Sequence, residues 1–559
     1  MHNNLHNIAV HNIAALARLQ RNPLWDYWHR QTDPHSNPFR NMYQLNGFDL
    51  AVMIPYFLVL IVLAMYGLHR YWLVYNFYKY RQNVPKTPPE IVDWPRVTIQ
   101  LPIFNERYVI ERLVDAVSRF DYPRELLEIQ VLDDSTDETQ AVARACVERY
   151  QALGFSIEYL RRTNRVGYKA GALAEGLKVA TGEFIAIFDA DFIPAPEFLR
   201  QTLPYLQDSK TAMVQTRWTY LNADYSLLTE VERILLDGHF VVEHGARSRR
   251  GTFFNFNGTG GIWRRAAIED AGGWQHDTLT EDTDLSYRAQ LRGWRFVYVP
   301  EIGCASELPV EMNSFKSQQA RWAKGLMQTA KKILPRVLRS NQPLHVKVEA
   351  FFHLTGNISY PLMIVLSTML LPAMIVRFYQ GSFQMLVIDL PLFLASTCSI
   401  SSFYLVAQRS LHPKTWTRTL LYMPFVMAIG IGISVRNAIA VLEAIFGKES
   451  EFARTPKHGI EGTAGRKKGT SIQKSYHNRS GWLPYLEVAL GCYFAAAVVY
   501  AFQNENYATI PFLLLFVWGY LYTGAMSLGQ AWFERLKFRG AVQPAAPEIR
   551  PAASGAPGF

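Results

Sequence analysis

The sequence predicts a mainly parallel α/β domain set between helices that cross a membrane. Three observations predict it. Short apolar, β-prone runs alternate with helical patterns between Arg96 and Pro300, the order of a parallel sheet with crossover helices. Long apolar runs flank that stretch on both sides, as spans would. Between them, Glu183–Asp191 reads EFIAIFDAD. Its apolar part shows no polar alternation, which suits a strand covered on both faces. It ends in two aspartates, at the end of a strand where open α/β sheets bind ligands.

Residues 1–47 are polar, with HNIA at 6–9 repeated at 11–14. Metal binding by His2, His6 and His11 competes there with a surface-lying or disordered tail, and the tail is the preferred reading. Ala14–Arg30 sets Leu16, Leu19, Leu24, Trp25 and Trp28 among basic residues and suits a membrane surface. Residues 48–76 form the first expected span, long enough to cross ~30 Å of hydrocarbon as a helix. His69, Arg70, Lys79, Arg81 and Lys86 follow it and point to a cytoplasmic side; Arg18, Arg21, Arg30 and Arg40 oppose them. No cleavable signal peptide is expected, since the first apolar run begins near Phe48. The Pro-rich residues 84–95 read as a linker.

Residues 92–310 form the expected soluble domain. Strands are predicted at Val97–Leu101, Ile129–Leu132, Ile157–Leu160, Glu183–Phe188 and Ala212–Thr216, and helices at Arg107–Ser118 and Thr136–Leu153. Residues 311–345 mix cations with apolar and aromatic residues, as interface helices do. Residues 346–533 form a membrane domain, with spans at Val346–Val376, Phe383–Val406, Trp482–Phe502 and Tyr507–Phe533. Leu420–Ser434 is shorter and holds Pro424, Gly430 and Gly432; residues 420–446 are therefore read as re-entrant. Five spans place the basic loop 447–481 and the α/β domain on one side, the cytoplasm. Residues 534–559 end in a Pro/Ala-rich tail, expected to be disordered.

Composition agrees. The chain has 559 residues, is 49% hydrophobic and carries a formal charge of +10. The cations cluster beside apolar runs, so they read as membrane flanks and not as a nucleic-acid surface. Cys146, Cys304, Cys398 and Cys492 include no CxxC pair, which argues against a disulfide framework or structural zinc.

Four acidic or mixed clusters sit at element ends. Asp133-Asp134 follows the second strand and could cap a helix or contact a nucleoside. Asp189 and Asp191 could share one hard cation, or form an acidic turn. Thr280-Glu281-Asp282 opens a helix; Thr280 could cap it and Asp282 could be a general base. Asn105-Glu106 lines the same crevice. Lys169, at a helix start in NRVGYKAGAL, suits a diphosphate or is simply solvated. Gln318-Gln319-Ala320-Arg321-Trp322 is either an interfacial anchor or a sugar platform. P-loop, Rossmann and hydrolase fingerprints are absent.

Taken in order, Asp-Asp, Asp-x-Asp, Thr-Glu-Asp and Gln-Gln-x-Arg-Trp between membrane segments resemble the processive inverting family 2 glycosyltransferases. These are GT-A enzymes of the cellulose and hyaluronan synthase type. QVLDDSTDET, NRVGYKAGAL, FNFNGTGGIWRR, LTEDTDLSYRAQLRGW, ELPVEMNSFKSQQARW and EFARTPKHG resemble the cellulose-synthase-like mannan, glucomannan and glucan synthases. The likeness covers about Pro95–Arg339 strongly and the membrane half loosely.

The resemblance implies a GT-A domain and a set of roles. Glu106, Asp133, Asp134, Lys169 and Asp189 would bind the nucleotide sugar. Asp189 and Asp191 would hold Mg²⁺ or Mn²⁺. Asp282 would be the base, beside Glu281. Gln318, Gln319, Arg321, Trp322 and Gly258 would bind the acceptor. Phe452, Thr455 and Lys457 would belong to a gating loop, although Arg454 stands where that loop has Val. The implied protein is a multi-pass hexosyltransferase, in the plasma membrane if prokaryotic. Its donor would be GDP-mannose or UDP-glucose, and its acceptor a growing β-linked glycan. Accessory subunits stay open. A glycolipid synthase adding one or few sugars is the alternative; a transporter with an inactive sensor domain is a third.

Overall fold

The computed structural model describes residues 46–380, 390–448 and 481–540, with Gln44, Ile388, Thr455, Lys457, Gly459 and Ile460. The N-terminal surface segment, Phe452, Arg454 and most of the basic loop lie outside those residues, as does the tail from 541.

Seven strands form one sheet in the order β3-β2-β1-β4-β6-β5-β7. They are β1 Val97–Ile103, β2 Leu127–Asp133, β3 Ile157–Arg161, β4 Phe184–Ile187, β5 Thr211–Tyr220, β6 Gly261–Arg264 and β7 Arg295–Ser306. The pairs β1/β2, β1/β4, β2/β3 and β5/β7 are parallel; β6 alone runs against its neighbours β4 and β5. The sheet is thus the mainly parallel one expected. Every residue of β2 and β4 is buried, which is why their sequences show no alternation. Polar residues inside the sheet find partners: Gln100 Nε2 donates to Gln130 Oε1 at 3.0 Å, and Thr98 Oγ1 to Glu128 at 2.6 Å.

Helix α1, Gly47–Lys79, precedes the sheet and opens with a capping box between Asn46 and Asp49. Helices α2, Ile110–Ser118, α3, Thr139–Ala152, and α4, Tyr168–Val179, connect the early strands. α2 and α3 each start three residues later than predicted. Asn105 and Asp137 explain the shift. Asn105 adopts a positive φ of 56°, and Asp137 Oδ1 accepts from the Thr139 amide at 2.9 Å. β6 and β7 were not foreseen. β6 is only four residues long, and β7 is interrupted by Pro300 and by a register shift opposite Thr216/Arg217. The fourth strand stops at Ile187, short of Phe188.

After β5 come α5, Leu227–Asp237, a π-helical stretch Gly238–His244, and α6, Gly245–Arg250. α7, Glu281–Leu291, precedes β7, and α8, Met312–Arg339, follows it. The remaining helices are α9, Leu344–Thr355, α10, Ser359–Gln380, α11, Ser399–Leu411, α12, Thr419–Gly432, α13, Ser434–Ile445, α14, Leu483–Gln503, and α15, Ile510–Gly540.

Among the described residues four helical stretches are long and apolar enough to cross a membrane: Gly47–Lys79, Leu344–Tyr379, Leu483–Gln503 and Tyr507–Gln530. A fifth is possible if the pair Trp416–Gly432 and Ser434–Ile445, bent by 44°, counts as one span. That bend falls in the segment expected to be re-entrant. The expected span Phe383–Val406 begins outside the described residues; its later part contributes α11. On α1, Ile54, Leu58, Ile61, Met65 and Leu68 are exposed, an apolar stripe suited to lipid.

α8 is more than an interfacial anchor. Its apolar side, including Ala323, Met327, Ala330, Ile333 and Val337, packs into a buried cluster with α9 and α13. Lys316 Nζ lies 2.5 Å from Glu487 of α14, and Lys324 Nζ 2.9 Å from Glu443 of α13. The helix that carries Gln318–Trp322 is therefore tied to the apolar helices at both ends of that motif.

Candidate active site

The topology gathers acidic residues at one mouth of the sheet. β1, β2 and β4 are adjacent and parallel, so Asn105-Glu106, Asp133-Asp134 and Asp189–Asp191 leave the sheet on the same side. Because β6 is antiparallel to β4, the loop before it, Asn255–Gly260, reaches that side too. Thr259 Oγ1 accepts from the Asp189 amide at 2.9 Å, and the Gly260 amide donates to Ile187 O at 3.0 Å.

Lys169, in the first turn of α4, is the hub. Its Nζ lies 2.5 Å from Asp189 Oδ1 and 2.9 Å from the Gly258 carbonyl. Burial pulls its pKa down, but Asp189 and Glu281 outweigh this and hold it above the ordinary lysine value. Gly258 has φ +80°, and a Cβ there would stand 3.1 Å from Asp282 Oδ2 and 3.3 Å from Lys169 Nζ. Only glycine suits both the backbone and the space.

Asp282 lies in the first turn of α7. Burial, then the charge of Glu281, pushes its pKa up to about 7. Thr280 precedes the helix without a side-chain cap; its hydroxyl meets Thr329 of α8 at 3.1 Å instead. The Leu279 amide donates to Gln328 at 2.9 Å. The Thr-Glu-Asp turn is thus docked on the helix that carries Gln318–Trp322. Arg321, one turn or two earlier on α8, interacts with Glu281, Asp189, Asp282 and Asp191; burial lowers its pKa.

Asp191 pairs with Lys457 at 2.8 Å, and Lys457 also donates to Glu307 O at 2.5 Å. Burial opposes the Lys457 charge, yet Asp191 and Glu307 hold its pKa above the usual value. Thr455 and Lys457 are buried, each 7% exposed. Lys457, in the stretch expected to gate the site, thus reaches into the mouth. Since the strand ends at Ile187, the two aspartates are not alternating strand residues. They sit in the following turn and hold different lysines.

The two aspartates after β2 are engaged differently. Asp133 accepts from the Ser135 amide at 2.8 Å and from Tyr159 at 2.7 Å. Asp134 is forked by Arg162, with Nε 2.9 Å from Oδ1 and a second contact from Nη2. Arg162 also donates to the Tyr168 carbonyl at 2.9 Å. Asp134 therefore props the loop that delivers Lys169. Arg162 was not foreseen; it is one of many arginines, and only the fork distinguishes it.

Among the described residues no set of three side chains could hold a metal alone. Asp189 and Asp191 nonetheless offer the hard carboxylate oxygens that Mg²⁺ and Mn²⁺ take, and such ions commonly complete their shell with substrate phosphates. Each carboxylate pairs with an ammonium group here, which a divalent ion would replace as its counter-charge. The residues fit such an ion.

A cavity of about 840 Å³ starts at Asp282, Gln318 and Trp322 and continues between the apolar helices to Asn506, Thr509 and Phe512. Gln319, Asn257 and Trp218 also line it. So do Glu232, His239, Glu243 and Asn255, which sequence reading missed. A signal existed: Glu232, His239, Glu243 and Arg247 recur at helical spacing.

Comparison with known proteins adds to this geometry. The family model described as "Glycosyltransferase like family 2" matches residues 95–325. The chain is 42% identical over 304 residues to Glucomannan 4-beta-mannosyltransferase 1 of Oryza sativa subsp. japonica, covering 52% of this chain and 58% of that protein. It is 46% identical over 256 residues to Glucomannan 4-beta-mannosyltransferase 2 of Arabidopsis thaliana, covering 45% and 48%. It is 30% identical over 454 residues to Probable glucomannan 4-beta-mannosyltransferase 15 of Arabidopsis thaliana, covering 78% and 80%. For the first two, the match spans about half the length of the relative. Among solved structures, "Mannosyltransferase PcManGT from Pyrobaculum calidifontis in complex with GDP-Man and Mn2+" is similar with a TM-score of 0.46 and 21% identity, over 70% of this chain and 99% of that one.

Proposed function

The chain belongs to the family 2-like glycosyltransferases, among the glucomannan 4-β-mannosyltransferase relatives, and on that premise we propose that it transfers mannose from GDP-mannose to a growing 4-β-linked glycan. The observation that carries this reading is the convergence of Lys169, Asp189, Asp282 and Arg321 at the head of a cavity that continues between apolar helices. The α/β domain then faces the cytoplasm, and the cavity receives the lengthening chain and leads it through the bilayer.

The roles follow from charge. The donor's diphosphate enters at the sheet mouth, where Lys169 and Lys457 meet its growing negative charge as the anomeric C–O bond breaks. When bound at Asp189 and Asp191, a divalent cation supplies Lewis-acid stabilisation of that leaving group. The acceptor's terminal sugar stacks on Trp322, with Gln318, Gln319 and Arg321 holding hydroxyls. Asp282 takes the proton of the attacking hydroxyl. A base with a pKa near 7 is well matched to neutral pH and contributes about 10²–10⁴-fold. A single displacement inverts the anomeric centre, so an α-linked donor gives a β-linked product, with no covalent glycosyl-enzyme.

The test is incubation of the purified full chain in nanodiscs with a panel of nucleotide sugars and Mg²⁺ or Mn²⁺, followed by linkage analysis. GDP-mannose is expected to yield a polymer of 4-linked β-mannose. A product of one or few sugars on a lipid would redirect the reading to a glycolipid synthase. No nucleotide release from any donor would end it.

A further inference from the structure

The loop that carries Gly258 is clamped from two sides. On the sheet side, the Asn257 amide donates to Gln215 Oε1 of β5 at 2.8 Å, and the Phe256 amide donates to Ser286 Oγ of α7 at 2.9 Å. On the other side, the run from α5 to α6 widens to a π-helix at Gly238–His244, a rare form often found at functional sites. That segment brings two histidines to one side chain. His239 Nε2 stands 3.0 Å from Asn257 Oδ1, and His244 Nε2 stands 2.8 Å from Asn257 Nδ2.

His239 is also held at its other nitrogen. Its Nδ1 stands 2.9 Å from Glu243 Oε2. Arg247 lies 3.4 Å from that carboxylate and 2.9 Å from Glu349 of α9, and Glu349 lies 3.1 Å from His69 of α1. Burial opposes the Glu243 charge, yet Arg247 and His239 hold its pKa below the usual carboxylate range. Polar contacts thus run unbroken from α1 to Asn257. The next residue is Gly258, whose carbonyl accepts from Lys169 Nζ at 2.9 Å and whose Cα packs beside Asp282. A displaced Asn257 therefore displaces a contact of Lys169.

We propose that His239 is a positioning residue for mannosyl transfer: held by Glu243, it fixes Asn257 and so sets the Gly258 carbonyl against Lys169, beside Asp282. This rests on the reading of the chain as a mannosyltransferase. The role needs no contact between His239 and a sugar. It is also directional, because only the Nε2 edge of the ring meets the loop. A glutamine at 239 places an amide donor where Nε2 stands, and an asparagine places one where Nδ1 stands. Both are polar and uncharged. A residue that merely filled space or matched the Glu243 charge would therefore tolerate the two alike.

The experiment uses the full chain in nanodiscs and measures mannosyl transfer from GDP-mannose to mannohexaose at saturating donor. His239→Asn is expected to lower kcat by about 10- to 100-fold, the scale of a reacting geometry loosened by up to about 1 Å. The KM for mannohexaose should stay within about twofold of wild type, since no acceptor contact is lost. His239→Gln should keep kcat within about threefold. Backbone hydrogen exchange over 252–260 should quicken in His239→Asn and not in His239→Gln. Glu243→Ala frees the far edge of the ring and should lower kcat by about threefold, the scale of one lost hydrogen bond. Equal kcat in the two folded His239 variants would overturn the proposal. So would a raised KM with unchanged kcat, because His239 would then touch the acceptor. Where His239→Asn fails to fold, unchanged kcat in Glu243→Ala overturns it instead. If wild-type protein transfers no mannose, the mannosyltransferase reading itself fails; wild-type turnover with indifferent variants defeats the positioning role alone.

Discussion

Lys169 Nζ stands 2.5 Å from Asp189 and 2.9 Å from the Gly258 carbonyl, so one ammonium joins the end of β4 to the loop packed on Asp282. Removing it leaves Arg321 as the cation that Asp189, Glu281 and Asp282 share. Lys169→Met is expected to lower kcat by about 10²–10³-fold, the scale of one lost electrostatic stabiliser. Lys169→Arg should recover little, since an arginine fork is longer and planar. Initial rates of GDP release at saturating donor check both. Activity within threefold of wild type in Lys169→Met would remove the residue from the chemistry.

The proposed base role of Asp282 predicts a pH-dependent reaction. With its carboxyl pushed up to about 7 by burial and Glu281, the base form grows as pH rises through that value. The acid limb of kcat/KM, which reports the free enzyme, should therefore bend near pH 7. Asp282→Asn should abolish that limb together with turnover, while GDP binding persists. Stability runs the opposite way. A carboxyl with a raised folded pKa stabilises the fold fully below the ordinary carboxylate range. That contribution is lost as pH rises through about 7. Urea midpoints at pH 5 and pH 8 should show a smaller loss in Asp282→Asn than in wild type.

The parts of this site differ in how legible they were. Strands β1, β2 and β4 and the ends carrying Asp133, Asp189 and Asp191 could be read because apolar runs buried on both faces leave a plain pattern; β3 and β5 could be read from their β-prone runs alone. β6 could not be read. Its four residues, Gly261–Arg264, hold no more pattern than a turn, yet their reversed direction brings Gly258 to the mouth. Roles that depend on contact were also hidden. The sequence set Asp134 beside Asp133 as an equal candidate; only coordinates distinguish the one forked by Arg162 from the one bound by Tyr159. Glu232 and Glu243 were overlooked because carboxylates on a helix with other charged residues look like surface residues until the cavity is seen.

The proposed metal role of Asp189 and Asp191 predicts cation dependence. Asp189 and Asp191 supply two carboxylates and no third protein ligand among the described residues, so the ion and the donor's diphosphate should bind together. EDTA is expected to abolish mannosyl transfer, with Mg²⁺ or Mn²⁺ restoring it. GDP affinity measured by calorimetry should fall in the same titration, and Asp191→Asn should weaken the cation's effect on it. Full turnover in excess EDTA would exclude the metal role.

The ion pair between Lys316 and Glu487 tests how α8 is held against the apolar helices. Nζ lies 2.5 Å from the carboxylate, with side-chain exposures of 7% and 0%. Ser527 Oγ of α15 accepts from the same ammonium at 3.3 Å. Breaking a buried pair by removing one partner typically costs about 3–5 kcal/mol, whereas replacing both by apolar groups is often neutral or stabilising. Lys316→Met alone should therefore destabilise the protein by about that amount, leaving Glu487 buried without its counter-charge. Lys316→Met with Glu487→Leu should recover most of the loss. Because α8 also carries Gln318–Trp322 and docks the Thr-Glu-Asp turn through Gln328 and Thr329, the single variant should also raise the KM for an oligosaccharide acceptor. A double-mutant cycle on unfolding midpoints in nanodiscs measures the coupling. Additive single effects would show that the two charges, although in contact, do not hold the helices together.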